Sequence, residues 1–299
     1  MHHPVMLDEA IGYLDLKPGD TALDATVGNG GHSIEILKRI TPGGTLIGID
    51  ADASAVDIAR RRLEPLATGG TSVKVVRANF RDLDRVLAGS SVEAVDAALF
   101  DVGVSSGQLD DPSRGFSIQK DGPLDMRIDT GLRISARDIV NRCSEEELSG
   151  IIRDYGQERF HRRIARRIAS ERAASPIETT GRLKEIVHGA VGGRRGYMRI
   201  DPATRTFQAI RIAVNGELGA MEEGIKKAVG KLRTGGRLCV ISFHSLEDRI
   251  AKNVIRDFSK RGDLEILTKK PVRPSDEEAA SNPRARSARL RAAERRAGQ

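Results

Sequence analysis

Short, almost continuous apolar runs recur along the first hundred residues, each followed by a turn or a stretch of helical period. The runs are 21–25 (TALDA), 45–50 (TLIGID), 73–78 (VKVVRA) and 95–101 (VDAALFD). Strands that read this way are buried on both faces. A Gly-rich turn and a helix through residue 40 follow the first run, and a helix over 54–63 follows the second. This alternation predicts a parallel sheet covered on both sides by helices.

The rhythm breaks near residue 110. The segment DDPSRGFSIQKDGPLD is loop-like, and no strand pattern follows it until after residue 205. Ser144 with Glu147 three residues on is a capping-box signature for a helix start. Phe160, Ile164 and Ile168 then repeat at helical spacing, and Leu183, Ile186, Val187 and Ala190 form a second stripe. The apolar faces are expected to form the core of a small helical unit. A long helix is predicted over roughly 207–232, then a Gly235-Gly236 turn and the strand RLCVISF. A last helix over 246–260 is predicted to be capped by Ser245, with Asp248 three residues on. LEILTKK and ARLRAAE read as two further strands. The expected organisation is a Rossmann-like α/β domain of residues 1–109 and 206–299, interrupted by an inserted helical domain of residues 110–205. The insertion leaves from the carboxyl end of the fourth strand, where open α/β sheets bind ligands.

Hydrophobic residues make up 39% of the 299, enough for a folded core. Two cysteines far apart, Cys143 and Cys239, exclude a disulfide scaffold and a Cys-based zinc site. No apolar run approaches the roughly 20 residues of a membrane span, and the N-terminus lacks the apolar stretch of a signal peptide. A soluble, cytoplasmic protein is the expectation.

Charge changes the picture because it is local. Between residues 159 and 205 there are 12 Lys/Arg against 4 Asp/Glu, a surplus as large as the net +7 of the whole chain. Arg159, Arg162, Arg163, Arg166 and Arg167 occupy the faces left by the apolar stripe. After Pro283 come Arg284, Arg286, Arg289, Arg291, Arg295 and Arg296 with only Glu294 against them. Concentrated positive charge suits a polyanion such as nucleic acid; a solvated helix face and a loose tail are the plain alternative. With no Trp and 3% aromatics, base stacking is not the main binding device.

The turn after the first strand reads Asp24-Ala-Thr26-Val-Gly28-Asn-Gly30-Gly31-His32-Ser33. Glycines there let the backbone turn tightly and approach a ligand. Asp50 ends the second strand, where a carboxylate can accept both ribose hydroxyls of an adenosine. Together they point to an adenosine cofactor. Ser33 stands where the dinucleotide fingerprint has its third small residue, and Asp24 supplies the acidic residue before the glycines that methyltransferases of this architecture favour. Phe80, just after the third strand, is placed to wall an adenine or to pack in the core. No G-K-[ST] follows the turn, which excludes a P-loop.

With these residues in view, the chain closely resembles the bacterial family that methylates the exocyclic N4 of a cytidine in small-subunit (16S) ribosomal RNA. The matching runs are His3 to Glu9, Thr26 to Ser33, LIGID, FDVGVSSGQLDDPSRGFSIQKDGPLDMR, YGQERFHRRIARRI, PATRTFQAIRIAVN, GGRLCVISFHSLEDR and NPRARSARLR, in order and over nearly the whole chain. The resemblance implies a class I methyltransferase sheet with an inserted helical substrate-recognition domain, and S-adenosyl-L-methionine as cofactor. It implies cofactor contacts at Gly30, Gly31, His32, Asp50, Phe80, Asp101 and Gln108. Asn29 and Gly107 depart from common family residues, both in turns.

The chemistry needs an acceptor on the amino hydrogens of the base and a geometry in line with the methyl donor. The Asn/Asp/Ser-Pro-Pro-aromatic loop of many amino-methyltransferases is absent, and Asp101-Val-Gly-Val-Ser105-Ser106 stands in its place. Asp101 is the natural acceptor by position and charge, and a contact to the methionine part of the cofactor is the equal alternative. Ser105 is a second candidate acceptor. His244, after the fifth strand, reads as a residue preceding the helix cap rather than as a general base. For RNA phosphates the candidates are Arg162, Arg163, Arg166, Arg167, Arg194, Arg195 and Arg199, with Arg205 and Arg211 near the return into the core. The expected partner is small-subunit ribosomal RNA within an assembled subunit, and a homodimer stays open. Two rivals remain at this point: an NAD-dependent oxidoreductase on the same scaffold, and a non-catalytic RNA-binding assembly factor.

Overall fold

The computed structural model describes residues 4–192 and 201–297, with Ser106 described by its backbone alone. In chain order it begins with α1 (Leu7–Leu14), β1 (Thr21–Asp24), α2 (Gly31–Ile40), β2 (Thr45–Asp50), α3 (Ala53–Leu63), β3 (Ser72–Arg77), α4 (Leu83–Ala88) and β4 (Val95–Asp101). Six helices follow: α5 (Ser106–Asp110), α6 (Ala136–Arg142), α7 (Glu145–Gly156), α8 (His161–Ala174), α9 (Thr180–Val191) and α10 (Ala203–Asn215). The chain closes with α11 (Glu217–Lys231), β5 (Leu232–Ser242), α12 (Ser245–Lys260), β6 (Leu264–Ile266), α13 (Asp276–Ser281) and β7 (Arg289–Arg295). Packing divides this into two units, residues 1–103 with 218–299, and residues 104–217.

The first unit is an α/β sheet of seven strands in the order β3-β2-β1-β4-β5-β7-β6. Strands β3, β2, β1, β4 and β5 run parallel, whereas β7 is antiparallel to both β5 and β6. The order reverses between β1 and β4, the switch point at which such sheets open a crevice at their carboxyl edge. The apolar strand runs are explained by two cores, one on each face. Leu46, Leu99 and Ile241 pack with α1 and α2 residues such as Leu14, Ile36 and Leu37. Ile47, Phe100 and Val240 pack on the other face with Met221, Ile225 and Val254. Each such buried Leu, Ile or Phe contributes about 1.5–3 kcal/mol relative to exposure.

The second unit is helical around its own core of Phe116, Leu148, Ile152, Ile164, Ile168, Leu183, Val187, Phe207 and Ile210. Its starts are written in the sequence. Ser135 with Asp138 and Ser144 with Glu147 form capping boxes on α6 and α7. Gly156 is where α7 meets α10: a Cβ there would lie 2.6 Å from the Arg205 carbonyl oxygen and 3.2 Å from Ala209 Cβ.

Three local expectations are corrected. The long helix over 207–232 is two helices, α10 and α11, because Gly216 adopts φ 58° and ends the first one in a left-handed cap. The cap of α12 is His244, not Ser245: its side chain accepts from the Glu247 amide and Glu247 returns the bond, so the box partner is Glu247 rather than Asp248. The C-terminal arginines are not a loose tail. Arg289 and Arg291 lie on β7 and pair with Asp248, while Arg295 meets Asp263 and Arg296 meets Glu265. Among the described residues, no helix is long and apolar enough to cross a membrane.

Candidate active site

Three neighbouring parallel strands each end in an aspartate. Asp24 closes β1, Asp50 closes β2 and Asp101 closes β4. Pairing of β1 with both β2 and β4 brings the three carboxylates to one edge of the sheet.

Asp24 is buried. Its Oδ2 accepts the Ser33 hydroxyl at 2.6 Å and its Oδ1 accepts the Thr26 amide at 3.1 Å. Burial pushes its carboxyl up to about 6 against the downward pull of those two bonds. Asp50 accepts the Gly28 amide at 2.9 Å and the Asp52 amide at 2.9 Å, so the strand-end carboxylate also pins the glycine turn. It too is raised to about 6, first by desolvation and then by the charges of Asp52 and Asp24. Asp101 is pushed furthest, to about 8, by desolvation and by the nearby Asp24 and Glu247. Its Oδ1 is shielded from solvent with no hydrogen-bond partner among the described residues. Its Oδ2 lies 3.6 Å from His32 Nδ1, and its amide donates to Thr26 Oγ1 at 2.6 Å.

The turn between β1 and α2 is shaped by its glycines. Gly28 has φ 50° and Gly30 φ 80°, conformations that a Cβ disfavours. Gly31 opens α2, and a Cβ there would meet Pro4 Cγ at 2.6 Å, so the N-terminal segment lies directly over this turn. The same segment holds His32: the Val5 carbonyl oxygen is 3.0 Å from His32 Nε2. Phe80 is half-buried, one ring edge against Phe100 at a centroid distance of 5.9 Å, with Gly224 closing on it so that a Cβ there would come within 3.0 Å.

Four carboxylates, counting the fully buried Glu247, with three of them held back from ionising, make a site that wants positive charge and hydroxyl donors from its ligand. The unsatisfied Oδ1 of Asp101 is an acceptor waiting for such a donor.

Of the residues expected from sequence, Gly30, Gly31, His32, Asp50, Phe80 and Asp101 all belong to the first unit, with His32 set against Asp101 and the Asp50 carboxylate against the glycine turn. Ser105 and Gln108 belong to the second unit, where they cap α5 reciprocally. The Ser105 amide donates to Gln108 Oε1 at 2.9 Å, and the Gln108 amide donates to Ser105 Oγ at 3.3 Å. That bond commits the Ser105 oxygen to a cap. His244 is likewise engaged by Glu247, as donor and acceptor of the α12 cap.

The arginines of α8 divide. Arg166 reaches Glu145 at 3.5 Å and Arg167 pairs with Glu171 at 2.7 Å. Arg162 and Arg163 are exposed, and among the described residues neither forms an ion pair; Arg163 instead lies 5.6 Å from the Phe160 ring centroid. Arg205 is 3.9 Å from Glu158, and Arg211 grips Glu217 through two bonds. Arg194, Arg195 and Arg199 lie outside the described residues.

Sequence reasoning passed over Val5, Thr26 and Glu247. Val5 acts through its carbonyl, which no side-chain pattern reveals. Thr26 and Glu247 sit inside runs singled out above, the glycine turn and SFHSLEDR, but were not read as site residues.

The sequence matches the profile of the MraW methylase family over residues 1–296. It is 48% identical to the ribosomal RNA small subunit methyltransferase H of Geobacter sulfurreducens, over 98% of each chain. It is 46% identical to the protein of the same name from Syntrophus aciditrophicus, over 98% of this chain and 97% of the other. Among solved structures, an rRNA methylase from Streptococcus thermophilus superposes with a TM-score of 0.44 at 13% identity, covering 97% of this chain and 94% of that one.

Proposed function

This chain belongs to the MraW methylase family, and from that premise we propose that it transfers a methyl group from S-adenosyl-L-methionine to the exocyclic N4 of a cytidine in small-subunit ribosomal RNA, in the cytoplasm. The observation that carries the reading is the row of strand-end carboxylates Asp24, Asp50 and Asp101 beside a glycine turn. A sulfonium donor brings the positive charge and the ribose hydroxyls that this donor-poor site lacks, and when bound it supplies an electrophilic methyl group.

The chain's own residues divide the work. Asp50 accepts the ribose hydroxyls while keeping the Gly28 turn in place. Gly30 and Gly31 allow the backbone close to the ligand, and the exposed part of Phe80 walls the adenine. Asp101, with Oδ1 unpaired, accepts from the amino group of the base, which favours the pyramidal nitrogen at which charge develops. Ser105 and Gln108 support the reaction by fixing the start of α5. The second unit is the substrate-recognition domain, and Arg162, Arg163, Arg166 and Arg167 on α8, together with Arg194, Arg195 and Arg199, contact RNA phosphates. A base in folded RNA must be splayed out before its amine can reach the donor.

The test is mass spectrometry of small-subunit rRNA from cells lacking the protein. One missing methyl on a cytidine amine, restored by wild type and not by Asp101→Ala, is the expected result. Unchanged rRNA methylation would overturn the reading.

A further inference from the structure

The His32 imidazole is held at one ring nitrogen and faces a carboxyl with the other. Nε2 lies 3.0 Å from the Val5 carbonyl oxygen, which can only accept, so the ring's N–H is committed to that side. A neutral His32 therefore turns the lone pair of Nδ1 toward Asp101 Oδ2, 3.6 Å away. That distance is longer than a hydrogen bond, as such contacts often are before substrate tightens them. The ring cannot leave easily, since it is 5% exposed and sits at the start of α2 beneath the segment that carries Pro4 and Val5.

We infer that His32 and Asp101 act as one proton-holding pair, with the Val5 carbonyl orienting the imidazole so that Nδ1 takes up the acid proton of Asp101 when that carboxyl receives a proton from the substrate amine. The inference rests on the amino-methylation reading above. After methylation the substrate nitrogen carries one proton too many. Its N–H bond breaks, the electron pair stays on nitrogen, and the proton bonds to Asp101 Oδ1. The proton on Oδ2 crosses to His32 Nδ1, which leaves Asp101 neutral and His32 an imidazolium that returns its proton to solvent water. His32 is thus a positioning and proton-storing residue, and Asp101 is the group that touches substrate.

The surroundings fit a pair that holds a proton at neutral pH. Asp24 at the end of β1 and Glu247 on α12 both face Asp101 with negative charge, and both act with burial to keep its carboxyl protonated. The Thr26 hydroxyl oxygen accepts the Asp101 amide, and the Ser33 hydroxyl donates to Asp24. No hydrogen bond competes for Oδ1 among the described residues.

The experiment is nitrogen-15 NMR of histidine-labelled full-length protein, titrated in wild type and in Asp101→Asn, beside pH–rate profiles of single-turnover methyl transfer to ribosomal subunits for wild type and His32→Gln. The wild-type spectrum is expected to show His32 as the Nε2–H tautomer. Its titration midpoint should fall by at least one pH unit in Asp101→Asn. The His32→Gln rate should fall at least 10-fold more than S-adenosylmethionine affinity, with a shifted pH profile. An Nδ1–H tautomer, or identical midpoints in both proteins, overturns the pairing. So does a His32→Gln variant that loses only cofactor affinity and keeps the wild-type profile. If wild type methylates no rRNA, the reading of the reaction fails, while the tautomer and the midpoint still decide the pairing.

Discussion

The Ser33 hydroxyl donates to Asp24 Oδ2 at 2.6 Å, across the glycine turn that separates them. This bond gives a physical reason for a serine where a dinucleotide fold has its third small residue: a buried carboxylate at the end of β1 needs a donor. Ser33→Ala removes it and leaves a buried oxygen unsatisfied, which costs about 1–3 kcal/mol. Chemical denaturation should show that loss. Because the Ser33 bond holds the Asp24 carboxyl down, the same variant should also raise the pH at which Asp24 ionises.

Apo-protein stability should fall as pH rises. Asp24, Asp50 and Asp101 hold protons in the folded state at pH values where an unfolded chain has lost them. The stabilisation is complete below about pH 4 and is lost as pH climbs through about 6 for the first two and about 8 for Asp101. Asp101→Asn should therefore gain on the order of 5 kcal/mol over wild type at pH 8 and nothing at pH 4. Thermal unfolding across that range measures it, and parallel curves for the two proteins would refute it.

Cofactor affinity should move the opposite way. A sulfonium favours ionised Asp24 and Asp50, so S-adenosylmethionine should bind more tightly as pH rises through about 6 and release protons as it binds. S-adenosylhomocysteine, which lacks that charge, should show a flatter dependence. Calorimetry in buffers of different ionisation enthalpy counts the protons. Asp50→Ala should lower affinity about 10-fold or more, since hydrogen bonds to a charged acceptor are worth about 1.5–3 kcal/mol each. Unchanged affinity would remove Asp50 from the ribose.

On the RNA side the exposed pair matters most. Arg162→Glu with Arg163→Glu should weaken binding to rRNA and reduce the slope of log affinity against log salt by about two. Arg167, already neutralised by Glu171, should contribute less when reversed alone. Filter binding over a salt series reads both slopes.

Gly156→Ala tests the helical unit without touching its arginines. The added methyl would press on the Arg205 carbonyl oxygen and Ala209, forcing α7 from α10 at a cost of about 1–3 kcal/mol. Unfolding measurements that show no loss would mean the two helices slide apart freely.

Much of this was legible in the chain. The central strands β1, β2 and β4 are apolar runs bounded by turn residues, and burial on both faces leaves them no other pattern, whereas β3, β6 and β7 carry charged residues and read less plainly. The positions of Asp24, Asp50, Asp101 and the glycine turn are legible because each ends a strand or shapes a turn, places set by backbone geometry. What escaped did so for separate reasons. The break at Gly216 hides inside a continuous helical stripe, because α10 and α11 are apolar on either side of it. His244 was passed over as a cap because Ser is the commoner residue for that task, although an imidazole nitrogen accepts an amide equally well. Val5 contributes only a carbonyl.

The seventh strand has a further consequence, for how the molecule is made. β7 lies between β5 and β6, and among the described residues β6 has no other partner strand. Until residues 289–295 have left the ribosome, β5 carries a bare row of amides and carbonyls on the side β7 will cover, and β6 has nothing to join. During synthesis the nascent chain therefore exposes an adhesive edge until β7 emerges. Its yield in the cell should depend on how quickly this ribbon follows β5.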